Sequence, residues 1–312
     1  MRLHIIDSEH LGRARVIGVA VLVAEDGSIT LIDPGPAVVF DAVQHGLSKL
    51  GLNPARVTQV LATHIHLDHS GSAWCWAEAA GARVFAHRRG VMHLIDPETL
   101  VASATRIYED EMERLWGAVR PIDARQVIAL NDGDEVTCGN AKLQAVDTPG
   151  HAQHHLAYWA PEDKLLFAGD AAGVVIDHGP VIPPCPPPDI NVEQWKASLA
   201  RLRAFFPART FVTHFGEVDN PAARFQELEE RLERRALWIR DQLRNGIDRD
   251  RLVQRFKRLT TDELRAAGID EGTLLAYEQA DPPAMSVTGL VRYWRKFHPE
   301  SLAGGTGPPA SE

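Results

Sequence analysis

Residues 63–71 read THIHLDHSG and place His64, His66, Asp68 and His69 within six positions. Imidazole nitrogen and carboxylate oxygen are donors that zinc and similar divalent ions accept, and a hydrolytic site keeps one position open for water. A lone histidine is more often a packed polar residue than a ligand, so the spacing has to carry the argument. In an extended loop, side chains at i and i+2 point the same way, so His64 and His66 can meet one ion. Asp68 and His69 stand where the chain turns into the next helix and address a neighbouring position. One ion cannot comfortably take all four donors from so short a loop, whereas two adjacent ions can. Two ions need further donors, and later apolar runs end in them: His151 in TPGH, Asp170 in FAGD and His214 in VTHFG. The two oxygens of Asp170 suit a bridge. A hydroxide held between two divalent ions is a nucleophile available near neutral pH, because coordination lowers the pKa of water from 15.7 to about 7 in favourable cases. One ion can then polarise a carbonyl or phosphoryl oxygen. Asp68 is the candidate catalytic residue, taking the nucleophile's proton and returning it to the leaving group.

These donors need strands to hold them. RVIGVAVLVAE and SITLID flank the turn DGS and read as a hairpin of β-branched strands. FDAVQHGLSKLGL has Phe40, Val43, Leu47 and Leu50 at helical spacing, and VTQVLAT runs directly into the histidine loop. SAWCWAEAAGA reads as a helix and ARVFAH as another strand, so the order strand, helix, strand, motif, helix, strand implies a layered α/β fold with ligands on the loop after a buried strand. Residues 97–118 read as helical, with Pro97 in the first turn. Strands return in QVIAL, EVTC, KLQAVDT, HHLAYW, KLLFAGD and RTFVTH. The stretch PVIPPCPPPDI cannot be a central strand, since proline offers no ladder donor, and is expected as a stiff connection near the surface. VEQWKASLARLRAFF after it has helical spacing. From Asn220 the pattern is helical only: Phe225, Leu228, Leu232, Ala236, Ile239 and Leu243 form one apolar face of a long helix whose polar face is expected to be solvated. Two further helices are expected around TDELRAAG and SVTGLVRYWRKF. The divisions are 1–219 for a catalytic domain, 220–300 for a helical region and 301–312 for a disordered tail of linker composition.

Bulk properties set outer limits. A 312-residue chain, 45% hydrophobic and 24% charged, can bury a full core. Its net charge of −9 argues against a nucleic-acid footprint, which normally needs a basic face. No run approaches the roughly 18 apolar residues of a membrane span, and MRLHIIDSEH lacks a secretory pattern. The expectation is a soluble cytoplasmic protein. Cys75, Cys138 and Cys185 form no C-x-x-C pair, which suits a reducing compartment and small buried thiols.

H-x-H-x-D-H at 64–69, with a later PGH, GD and H and with LIDPG upstream, resembles the metallo-β-lactamase-fold hydrolase superfamily over roughly residues 15–216. The resemblance implies an αββα sandwich with a dinuclear site at one edge, to which the helical pattern from Asn220 adds a C-terminal helical extension. It implies His64, His66 and His151 on one metal, Asp68, His69 and His214 on the other, and Asp170 between them. Zinc is the first expectation for both ions, with manganese or iron as alternatives. Asp33 in LIDPG resembles the family aspartate that supports the site from behind; capping the Pro-Gly turn is the alternative reading.

PGHAQHHLAYW is similar to a segment of the glyoxalase II branch, with His151 at the ligand place, His155 at the second histidine and His154 where glycine is usual. His154 and His155 are therefore candidates for substrate contact or for support. The G-C-G-R sequence usual after the bridging aspartate is replaced by AAGVVIDHGP, so glutathione contacts cannot be carried over. Quorum-signal lactonases usually have a tyrosine three residues after that aspartate, where this chain has Gly173. Tyr158 could act instead, although a strand tyrosine is first a packing residue. The expected function is hydrolysis of a thioester, ester or lactone by a metal-bound hydroxide. The alternatives are a phosphodiesterase or nuclease using the same metals, and a mononuclear iron oxygenase resembling the persulfide dioxygenases. A small-molecule substrate is expected, with no nucleic acid and no membrane. The C-terminal helices could form a substrate lid or a homodimer interface, the latter supported if Trp238, Tyr293 or Trp294 is exposed.

Overall fold

The structure, a computed structural model, describes residues 2–302. One six-stranded sheet contains β1 (Arg2–Asp7), β2 (Gly18–Val23), β3 (Ile29–Ile32), β4 (Val57–Leu61), β5 (Arg83–His87) and β6 (Val127–Leu130), in that spatial order. The second runs β12-β11-β10-β9-β8-β7, from β7 (Glu135–Cys138), β8 (Ala141–Asp147), β9 (Leu156–Ala160), β10 (Leu165–Phe167), β11 (Arg209–Val212) and β12 (Gly216–Val218). The β2–β3 hairpin turns where expected, with the Asp26 carboxylate accepting from the Ser28 N–H at 2.8 Å.

Helices cover both outer faces. The first sheet carries α1 (Phe40–Lys49), α2 (Leu67–Ser70), α3 (Ala73–Ala80), α4 (Val91–Ile95), α5 (Glu98–Tyr108) and α6 (Met112–Trp116). The second carries α7 (Val192–Arg203), then α8 (Pro221–Arg244), α9 (Arg249–Ala266), α10 (Glu271–Ala280) and α11 (Pro283–Phe297). Between the sheets Leu22, Leu61 and Phe85 meet Leu143, Tyr158 and Phe167 in one apolar cluster. Outside the first sheet Val43, Leu47 and Trp76 pack on Val21, Val60 and Val84. Outside the second, Trp195 and Leu199 of α7 join Phe225 and Leu228 of α8 and Val287 and Leu290 of α11, so the helical region shares one core with that sheet. These layers form the αββα sandwich with a helical extension.

Local chemistry explains the helix starts. Asn191, Asn220, Asp248 and Asp270 each accept a backbone N–H of the first turn, from Gln194, Ala223, Arg251 and Thr273, and Pro221 occupies the start of α8. Several expectations are corrected. The N-terminal strand β1 is additional. Residues 97–118 are not one helix: Glu109, at φ 47°, breaks α5 from α6 and lets Trp116 turn back onto Tyr108, with ring centroids 5.1 Å apart. Three helices follow α8, and TDELRAAG is the end of the first. The proline-rich segment is largely buried, with Val181, Ile182 and Cys185 inside the core. The polar face of α8 is only partly solvated: Arg231 and Arg235 are buried and pair with Glu227 and Glu263 because α9 packs over them. Tyr293 and Trp294 are buried too, which removes two of the three aromatics that could have marked an interface. Cys75, Cys138 and Cys185 are free buried thiols. Residues 303–312 of the expected tail lie outside the described residues, while Ser301 and Leu302 end a short 3-10 helix. Among the described residues no helix is long and apolar enough to cross a membrane.

Candidate metal centre

Strand direction gathers the donors. β3 and β4 are parallel, so Asp33 and the 64–69 loop leave the same edge of the first sheet. In the second sheet β8 and β10 both run antiparallel to β9, and β10 is parallel to β11. The chain ends of β8, β10 and β11 therefore share an edge, and His151, Asp170 and His214 follow them. Glycines allow the close approach. Gly150 has φ 139°, and a Cβ there would lie 2.3 Å from the Trp195 Cα; at Gly169, φ 46°, a Cβ would lie 2.6 Å from the Thr63 hydroxyl oxygen.

Two donor groups result. His64 Nε2 and His151 Nε2 lie 2.8 and 3.1 Å from His66 Nδ1. Asp68 Oδ2 lies 3.7 Å from His69 Nε2 and 3.4 Å from His214 Nε2. Asp170 stands between the groups: Oδ2 is 3.3 Å from His151 Nε2, and Oδ1 is 3.4 Å from His69 Nε2 and 3.6 Å from His214 Nε2. The mixed set His64, His69 and Asp170 also converges, so the two positions are adjacent rather than separate.

In His64, His69, His151 and His214 the ring nitrogen facing away from the centre is tethered. His69 Nδ1 donates to Asp33 Oδ2 (2.8 Å), His151 Nδ1 to the Pro184 carbonyl (2.9 Å) and His214 Nδ1 to the Val16 carbonyl (2.6 Å). His64 Nδ1 lies 3.1 Å from the Thr63 hydroxyl, which itself donates to Asp33 at 2.7 Å. Each tether puts the proton on Nδ1 and leaves the Nε2 lone pair facing inward, as a metal ligand requires. Asp33 is wholly buried and also accepts from the Thr63 N–H and the Thr213 hydroxyl, both at 2.7 Å. It lies behind the donor cluster, on the Nδ1 side of His69.

The donor set fits divalent ions on a direct structural ground. His69 Nε2, Asp170 Oδ1 and His214 Nε2 are buried atoms with no hydrogen-bond partner, all aimed into one centre. Such orphans are costly unless a ligand satisfies them. Charge agrees. Burial and neighbouring imidazoles hold His64 well below the ordinary histidine range, and burial with His151 pushes His66 down to about 4. Both are therefore neutral and able to ligate. Burial also opposes charge on His69, but Asp170, Asp68 and Asp33 outweigh it and raise its pKa. Burial resists ionisation of Asp170, yet His69, His151 and His214 hold it well below the carboxylate range. A cation is favoured where these carboxylates converge.

The remaining candidates take definite places. His154 is half-buried beside the cluster, its ring centroid 5.8 Å from that of His66 and its Nδ1 3.4 Å from the Ile65 N–H. His155 is fully buried, with Nδ1 2.7 Å from the Thr148 hydroxyl and Nε2 accepting the Ala171 N–H at 3.3 Å. It links the His151 loop to the Asp170 loop, with both ring nitrogens engaged. Tyr158 is also fully buried and donates to the Ala62 carbonyl at 2.8 Å. Sequence reasoning missed Thr63 and Thr213, although the repeated Thr-His pair before two ligands was a signal. It also missed Trp195, which packs edge-on to His151 at 5.5 Å and donates to the Ala171 carbonyl at 2.9 Å.

A profile described as the metallo-beta-lactamase superfamily matches residues 13–214. A hydroxyacylglutathione hydrolase of Methylococcus capsulatus is 31% identical over 204 residues, 65% of this chain and 64% of that protein. An atrochrysone carboxyl ACP thioesterase of Aspergillus fumigatus is 27% identical over 68% of this chain, which spans 53% of the thioesterase. The chain thus spans less than two thirds of either relative. A metallo-beta-lactamase family protein of Thermus thermophilus superposes with TM-score 0.64 at 23% identity, covering 89% of this chain and 88% of that one. With the profile spanning most of the chain and the same fold in solved structures, this chain belongs to the metallo-beta-lactamase superfamily.

Proposed function

We propose that the chain is a dinuclear metal-dependent hydrolase of thioesters, esters or lactones, working in the cytoplasm with zinc as its ions. The observation that carries this reading is Asp170, whose two oxygens face different donor groups at 3.3 Å and 3.4 Å. His64, His66 and His151 would hold one ion, Asp68, His69 and His214 the other, with Asp170 shared. Two bound ions would lower the pKa of water toward neutrality and polarise the scissile carbonyl. The protein's own part is to aim the Nε2 atoms of His69, His214 and His151 at the centre, through the tethers to Asp33, Val16 and Pro184, and to manage the proton. Asp68 suits the proton-carrying role because its side chain is 24% exposed against 4% for Asp170, so it alone of the two carboxylates reaches the open side. Burial resists its ionisation, but His69 and His214 hold it well below the carboxylate range, so it is ionised and able to ligate a cation. The hydrolase and thioesterase names among the relatives support the acyl-transfer class.

The test is elemental analysis of purified protein with a panel of thioester, lactone, aryl ester and bis-aryl phosphodiester substrates. Two ions per chain with turnover of a carbonyl substrate is expected. One iron per chain with sulfur-dependent oxygen uptake, or turnover of the phosphodiester alone, would overturn the reading. Asp68→Asn protein loaded with both ions should lose most activity; full activity with both ions bound would remove the proton role.

A further inference from the structure

Between α5, the proline-rich segment and the helices α8, α9 and α11 lies a cavity of about 780 Å3. Ligand sites typically measure ~300–1,000 Å3. Its apolar lining includes Ile107, Ile247, Leu252, Val287 and Val291. Five cations also line it, Arg106, Arg249, Arg292, Arg295 and Lys296, and no carboxylate does. This reverses the balance of a chain with net charge −9. The cations are not spent on ion pairs among the described residues: Arg249 donates to the Thr288 hydroxyl, Arg292 to the Pro188 carbonyl, and Lys296 lies over the Phe297 ring. Other surface arginines do form ion pairs, as Arg203 does with Glu229 and Arg209 with Glu217.

The cavity shares two walls with the metal centre. On α5, Ser103, Arg106 and Ile107 face the cavity, while Ala104 packs with Leu67 and Trp116 beside the histidine loop. In the proline-rich segment, Pro187 and Pro188 line the cavity, and Pro184 accepts the His151 Nδ1 proton. Three residues of chain reach at most about 11 Å, so the cavity wall begins within one ligand length of the donors.

Building on the reading of the centre as an acyl hydrolase, we infer that this cavity binds the phosphorylated carrier of an acyl thioester, of the coenzyme A class. Such a carrier has a phosphomonoester and a diphosphate for the cationic lining, and a gem-dimethyl group and purine for the apolar surface. Arginine forks match phosphate geometry and their planes stack on aromatic bases. The pantetheine arm would then run along the α5 wall and deliver the thioester to the centre.

Two readouts separate this proposal from the hydrolase reading. Binding of coenzyme A itself, by calorimetry on the metal-loaded protein, reads the cavity without catalysis. It should weaken with salt and fall about tenfold in Arg106→Gln/Arg295→Gln/Lys296→Gln, three exposed cations each contributing a modest factor. The same triple variant should raise KM for acetyl-coenzyme A while leaving kcat, and the turnover of an N-acetylcysteamine thioester, unchanged. Val291→Phe, which fills the apolar side without touching charge, should also weaken coenzyme A binding. Failure of coenzyme A to bind, binding indifferent to these substitutions, or glutathione binding in its place would overturn the proposal even if thioesters are hydrolysed. Binding that obeys the substitutions with no thioester turnover would support the cavity and overturn the hydrolase reading instead.

Discussion

Asp33 should control one of the two ions far more than the other. Its carboxylate is wholly buried; Oδ1 accepts from the Thr63 N–H, and Oδ2 accepts from the Thr63 hydroxyl, His69 Nδ1 and the Thr213 hydroxyl, all at 2.7–2.8 Å. In Asp33→Asn the amide must replace one oxygen with an NH2 donor. Placed at Oδ1 it faces the Thr63 N–H, leaving a buried donor unpaired at a cost of about 1–3 kcal/mol. Placed at Oδ2 it meets three donors. The two hydroxyls can rotate, but the imidazole can respond only by moving its proton to Nε2, the atom aimed at the Asp68 and His214 side. Loss of such a supporting partner typically costs 10–100-fold in metal affinity, or about 1.4–2.8 kcal/mol. The ion on the Asp68, His69 and His214 side should weaken by that factor. The ion on the His64, His66 and His151 side should change by less, because the effect reaches it only through the Thr63 hydroxyl beside His64 Nδ1. Asp33→Ala should destabilise the metal-free protein by about 3–5 kcal/mol, since buried donors lose their charged acceptor together. Stepwise metal titration against a chromophoric chelator, with urea unfolding of the metal-free protein, measures both. Equal weakening of the two ions in Asp33→Asn, or no change in either, would refute the argument.

His64→Ala and His69→Ala should each empty chiefly a different position, visible as two distinct stepwise titrations; equal loss of both ions in both variants would count against two donor groups. Tyr158→Phe removes one buried hydrogen bond to the Ala62 carbonyl and should lower stability by about 1 kcal/mol in urea while leaving kcat unchanged; a large kcat loss would return Tyr158 to the substrate. Asp281 is buried, accepts from the Ser286 hydroxyl at 2.6 Å and faces Arg235 at 4.0 Å, and burial pushes its pKa up to about 6. A raised carboxyl pKa means the folded state holds the proton more tightly, so its contribution is full below the unfolded value of 3.8 and lost as pH rises through about 6. The stability difference between the metal-free wild type and Asp281→Asn should therefore fall by about 3 kcal/mol from pH ~4 to ~8, at 1.36 kcal/mol per pKa unit. A flat difference across that range would refute it.

The parts of the fold legible in the sequence are those with a continuous apolar run or a clear period. The hairpin β2–β3, the strand β4 that feeds the histidine loop, and the apolar face of α8 all have one. β1 does not: RLHIID is an edge strand, half-exposed along its length, so its pattern lacks the clean alternation of a half-buried strand. The α5–α6 break occurs within EDE, among ordinary helix formers, because burial of Trp116 against Tyr108 and Leu67 overrides local preference. The proline-rich segment misleads for a more general reason. Prolines cannot join a sheet, but they also carry no N–H that burial would strand. The donors that do exist there find partners on the helices: the Val181 N–H on Glu227 and the Cys185 N–H on the Ser286 hydroxyl. Burying such a segment is cheap, and this one became part of the wall beside His151.

The same distinction runs through the site. The candidate donors are visible because they are side chains at strand ends, but half of their tethers are backbone carbonyls, and any residue can offer one. Val16 and Pro184 fix the His214 and His151 tautomers with no signature of their own. His154 and His155 show the complementary problem. His154 lies in the turn before β9 and His155 immediately precedes Leu156, and composition does not say which of the two faces the interior. His155 turns inward because Thr148 and the Ala171 N–H together satisfy both of its ring nitrogens. His154 has only the Ile65 N–H, and stays half-buried beside His66. A histidine at the rim of the donor cluster with one ring nitrogen uncommitted can meet a substrate, and one with both committed cannot. On that ground His154→Ala should alter KM, whereas His155→Ala should instead destabilise the loops that carry His151 and Asp170.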